Sequence, residues 1–111
     1  MPISEWYFVT FDDRVIRLHV EPPGRAAWDV EIAWESIVRV CFLAQDFTAS
    51  DEIYLFTSAR PESYVIPTEA RGGDAFWGEI LRRKLFDASM AIEAATTEGK
   101  LFCWPPGSVQ N

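Results

Sequence analysis

The sequence predicts one α+β domain in which about six to seven mostly antiparallel strands form a curled sheet or open barrel, capped by one or two C-terminal helices. Three observations predict it. Up to residue 66 the apolar residues recur mainly with period two between turn signals, and after Gly72 the spacing changes to three and four. Nowhere do strands and helices alternate as βαβ units would require. A length of 111 residues suits a single core, and a hydrophobic share of 49% supplies enough apolar area to offset the entropy of ordering the chain. The expected boundaries are one domain over residues 1–106 and a frayed tail over 107–111.

The first hairpin is read from Glu5-Trp6-Tyr7-Phe8-Val9-Thr10-Phe11, a turn at Asp12-Asp13, and a return strand in which Ile16, Leu18 and Val20 share one face. Pro22 and Pro23 stop the second strand, because neither can donate to a ladder, and Gly24 supplies turn freedom. In Ala27-Trp28-Asp29-Val30-Glu31-Ile32-Ala33 the alternation points Trp28, Val30 and Ile32 inward and Asp29 and Glu31 to water. A short bend at Trp34-Glu35-Ser36 leads into the apolar run over 37–44. After a loop over 45–51 come strands 52–58 and 63–66, separated by Arg60-Pro61-Glu62.

At Asp74 a helix begins, with Asp74 read as its N-cap; Phe76, Trp77, Ile80, Leu81 and Leu85 recur on one face through residue 86. Arg82-Arg83-Lys84 then complements the negative end of the helix dipole. Asp87 caps a second helix over 88–98, which Gly99 stops. Leu101-Phe102-Cys103-Trp104 docks as a last short strand or extended tail, since Phe102 and Trp104 would otherwise leave an apolar patch in water.

Ten basic and seventeen acidic residues give a net charge of -7, which disfavours nucleic acid and anionic membrane surfaces and favours a basic protein partner. No apolar run is long enough to cross a bilayer, and Met1-Pro2-Ile3-Ser4-Glu5 lacks a basic stretch followed by an apolar one. Cys41 and Cys103 could pair in principle, but both lie in strongly apolar segments and are read as reduced, buried thiols of a cytoplasmic chain.

The stretch Trp34-Glu35-Ser36-Ile37-Val38-Arg39-Val40, with its aromatic, short bend and following strand, resembles small bacterial pleckstrin-homology-like domains of uncharacterised function. The order of strands followed by a helix is similar over residues 5–86. The resemblance implies a platform for proteins, peptides or lipids without choosing among them. The second helix and the Phe102-Cys103-Trp104-Pro105 tail depart from the minimal form of that fold.

Motifs for chemistry fail one after another. Gly72-Gly73-Asp74-Ala75-Phe76 is superficially similar to the diguanylate cyclase signature, but Ala75 stands where that family has an acid and the chain is too short for that domain. An anion site at Arg71-Gly72-Gly73 is set aside because the Asp74 carboxylate would occupy the amide donors. The loop starting at Asp46 has oxygen side chains at alternate positions, yet Asp51 replaces the glycine and Thr57 the glutamate of a calcium loop. Strand parity puts His19 on the solvent face with Val15 and Arg17, as an isolated histidine whose neighbours on 5–11 offer only Thr10 and Glu5. No catalytic residue, metal or cofactor is expected.

What the motifs leave is a protein-interaction module. Its candidate residues are Trp34 and Trp104, watched as interface anchors although closing the base of the barrel would explain both, and the acidic rim of Asp29, Glu31, Asp46, Asp51 and Glu52. An inhibitor or immunity-type protein for a basic target, or a homo-oligomer, would suit it. The alternatives are a small-molecule or lipid-binding domain and, last, a small enzyme.

Overall fold

A computed structural model of the chain describes residues 2–46 and 49–106. These residues form an α+β fold with seven antiparallel strands in two sheets and two α-helices. The first sheet runs β1-β2-β3, from Tyr7–Phe11, Val15–Val20 and Trp28–Ala33. The second has the order β6-β5-β4-β7, with β4 Ile37–Ala44, β5 Glu52–Thr57, β6 Arg60–Pro67 and β7 Lys100–Trp104. No strand ladder among the described residues joins the two sheets into a closed barrel.

Local chemistry sets each junction. Asp12 closes the β1–β2 turn by accepting from the amides of Arg14 and Val15 at 2.8 and 2.9 Å. Those amides, with Val15 the larger influence, pull its carboxyl down to about 2. Between β6 and helix α1 (Gly73–Arg82) the chain runs beside β1: the Val9 amide donates to Arg71 O at 2.9 Å and the Arg71 amide to Tyr7 O at 2.8 Å. This short parallel bridge ties the first sheet to the exit from the second.

The inward faces of both sheets and α1 meet in one apolar core. Ile16, Leu18 and Ile32 come from the first sheet, Val40, Ile53, Leu55 and Ile66 from the second, and Phe76 and Ile80 from α1. Burial of this apolar set stabilises the fold by about 1.5–3 kcal/mol per large side chain. Helix α1 serves both sheets at once. Phe76 packs against Phe11 of the first and against Trp34 in the 3-10 turn that follows it, while the Trp77 ring lies 4.8 Å from that of Phe42 of the second.

Several expectations need correction. Asp74 is not the N-cap: Gly72 takes that position with φ 89°, and Asp74 lies exposed in the first turn. The helix ends at Arg82 rather than 86, because Lys84 turns to φ 62° and sends Phe86 into the core from beyond the helix. Asp87 does cap α2 (Ala88–Ala95), accepting from the Met90 amide, but the helix stops three residues short of 98. The last apolar segment is a full strand, so the helices are followed by β7.

The cysteines are also not free thiols. Cys41 and Cys103 face each other across β4 and β7 and form a disulfide. This removes the thiol argument from the expectation of a cytoplasmic chain. No helix among the described residues is long and apolar enough to cross a membrane. The expected tail over 107–111 lies outside the described residues, as do positions 47 and 48 of the loop read for calcium.

Candidate functional site

The outer face of the first sheet is built from the alternate residues that the core does not use. Strand pairing aligns Phe8, His19 and Asp29 in one rung and Thr10, Arg17 and Glu31 in the next. Arg17 bridges Glu31 at 3.1 Å and Asp12 at 3.2 Å. His19 stands between two carboxylates, with Nδ1 2.6 Å from Asp29 and Nε2 2.6 Å from Glu21. Asp29 and Glu31 nevertheless keep 74% and 61% of their side-chain surface in water. The face thus presents Asp12, Glu21, Asp29 and Glu31 against Arg17 and His19.

His19 is therefore not the isolated histidine expected. Its partners come from β3 and from the residue after β2, which a search along β1 could not find. A carboxylate accepts but does not donate, so both ring nitrogens must carry protons and the imidazolium is the form this geometry holds. Glu21 and then Asp29 raise its pKa above the ordinary 6.5. Charged His19 accordingly adds stability that is fully present below pH 6.5 and disappears as pH rises through the elevated folded value. An NMR titration is expected to place the His19 midpoint above 6.5, moving back down in Glu21→Gln and Asp29→Asn; a midpoint at or below 6.5 in the unaltered protein would contradict the arrangement. With both nitrogens engaged, neither is free to take a proton from a nucleophile. The two carboxylates sit at opposite edges of the ring, so they do not converge on one ion. No cluster of His, Cys, Asp or Glu among the described residues could hold a metal.

The acidic residues expected to form one rim lie in different parts of the fold. Asp29 and Glu31 lie on β3, whereas Asp46 and Asp51 lie in the β4–β5 connection and Glu52 opens β5. Asp51 closes that loop by accepting from the Gln45 amide at 2.8 Å, and Glu52 accepts from the Tyr54 hydroxyl at 2.8 Å. That hydrogen bond raises the Tyr54 pKa. Burial first, and Glu52 second, raise Tyr7, whose hydroxyl donates to Val65 O.

Of the two tryptophans singled out, Trp34 is 6% exposed, with its indole N–H donated to Asp12 O and the Arg83 guanidinium 4.0 Å above its ring. Trp104 is half-buried at the end of β7. Sequence parity had turned Trp28 inward, yet it is 43% exposed. Its side chain does lie on the inner face, edge-on to Tyr7, but β3 borders the sheet and no strand among the described residues pairs with its far edge. A groove of about 500 Å³ opens there, between Trp28 and Val30 of β3 and Tyr64 and Val65 of β6.

A second depression, of about 770 Å³, lies beside Asp13, Arg14, Trp34 and Arg83. Its Arg83 is already committed: it bridges Glu79 at 2.8 Å and donates to the Asp13 carbonyl. Arg82, and then Arg83, hold the Glu79 carboxyl down at about 2. The acidic outer face and the Trp28 groove next to it are therefore the stronger candidate site.

No protein-family model matches the sequence, and no curated protein or solved structure is significantly similar to it.

Proposed function

We propose that the chain is a non-enzymatic protein-interaction module whose acidic face on β1–β3 captures a basic partner, as an inhibitor or immunity-type protein for a basic target would. The observation that carries the reading is the exposure of Asp29 and Glu31 beside an open groove that Trp28, Val30, Tyr64 and Val65 help to line, in a chain of net charge -7. Such a face steers cationic partners at long range, and a desolvated aromatic at its border supplies affinity.

The test is capture of basic proteins by the purified domain at low and high salt, beside a double variant Asp29→Lys/Glu31→Lys. Partners released by salt and lost by the variant support the reading. Basic partners retained equally by the variant would sink it. Light scattering of the protein alone reads the homo-oligomer that such a module could also form.

The groove itself favours a second reading, a small-molecule or lipid-binding domain of the pleckstrin-homology-like kind, because Trp28, Tyr64 and Val65 line a volume suited to a small ligand. Saturable binding of an apolar dye that Trp28→Ala removes and salt leaves untouched would support that reading instead.

A further inference from the structure

We propose that the free edge of β3 accepts an extended segment of a partner protein as a fourth strand of the first sheet, and that this segment alternates basic and apolar side chains. The inference rests on the acidic-face reading and names the chemistry of the partner.

Strand β3 pairs with β2 on one side and with no strand among the described residues on the other. A strand edge offers a row of backbone donors and acceptors to any chain that lies alongside it at about 4.8 Å. The two faces of this edge differ sharply. On the outer face stand Asp29 and Glu31, both mostly in water. On the inner face Trp28 and Val30 border the groove, whose opposite wall is Arg60, Ser63, Tyr64 and Val65, with the Arg60 guanidinium stacked 3.7 Å over the Tyr64 ring. A strand added here would place alternate residues against carboxylates and the intervening ones in the groove.

The existing neighbour of β3 already follows that rule. Across β2, Arg17 sits opposite Glu31 and His19 opposite Asp29, while Leu18 and Val20 sit opposite Val30 and Trp28. A strand on the other edge faces the same six residues of β3, so the pattern that satisfies them is again cationic alternating with apolar. In β-strand addition the main-chain bonds supply affinity and the alternate side chains supply selectivity. A second copy of this chain is a poor occupant. Antiparallel pairing of β3 with itself about Val30 would set Asp29 against Glu31, like charges directly opposed.

The probe is a fluorescein-labelled octapeptide of alternating arginine and valine, compared with a block isomer of four arginines followed by four valines. Fluorescence anisotropy at low salt is expected to show the alternating peptide binding at least about tenfold more tightly, with NMR shifts concentrated in the amides of residues 28–33. Alternate amides of a strand point to opposite sides. N-methylation at the arginines alone or at the valines alone should therefore abolish binding in one peptide and spare the other. Asp29→Lys/Glu31→Lys should weaken the alternating peptide at least about tenfold, and the methylated peptides test the same point on the unaltered protein. If both isomers and both methylated forms bind alike, the strand-addition inference is overturned while the acidic capture surface stands. If neither isomer binds at low salt, the inference is also overturned, and the underlying reading is decided separately by its capture experiment.

Discussion

Replacing Gly72 with alanine is expected to destabilise the domain by about 4 kcal/mol, although the residue is exposed and substitutions on a surface are usually mild. Two effects add. Gly72 adopts φ 89°, where a side chain is strained by about 1–2 kcal/mol. A methyl group there would also lie 2.2 Å from the carbonyl oxygen of Val9, so the bridge between the 71–72 segment and β1 would have to open. Gly24 provides the control: it has φ 75° and nothing within 4 Å of an added methyl group. Gly24→Ala should cost about 1 kcal/mol. Urea denaturation of the three proteins gives the comparison, and equal midpoints for the two variants would show that the close approach to β1 does not hold the sheets together.

Reduction of the Cys41–Cys103 disulfide is expected to cost about 2–4 kcal/mol. Loop-closure entropy for the 62-residue separation accounts for about 4 kcal/mol, an upper figure because the reduced chain retains some structure. The bond fastens β7, a border strand, to β4, and Phe102 beside it is buried. Hydrogen exchange should therefore accelerate first in the amides of β7, with the first sheet keeping its protection. A Cys103→Ser variant should denature at the same urea concentration as the reduced protein. Unchanged stability on reduction would mean that β7 is held by its packing and ladder alone.

The strands of the first sheet were legible because each is local: alternation in Val15–Val20 and a turn at Asp12-Asp13 specify a hairpin without reference to the rest of the chain. The cap at Asp87 was legible for the same reason, since its partner is Met90, three residues on. The N-terminus of α1 was misread because Asp74 satisfies the local rule for a cap, whereas a distant strand requires glycine at position 72. His19 was misread in a related way. Its outward direction followed from parity, but its carboxylate partners depended on β3 lying beside β2.

By itself, then, the sequence determined an α+β chain with alternating strands, the inward faces of β2 and α1, and a net charge of -7, because periodicity is a property of neighbouring residues and charge of composition. Only the tertiary structure decided which strands border the sheets, that Cys41 meets Cys103, that Trp34 is covered and Trp28 is not, and that the acidic residues divide between β3 and the β4–β5 connection. Those outcomes depend on pairings between segments far apart in the chain, where a residue's own side chain says which way it faces but not what, if anything, will lie against it.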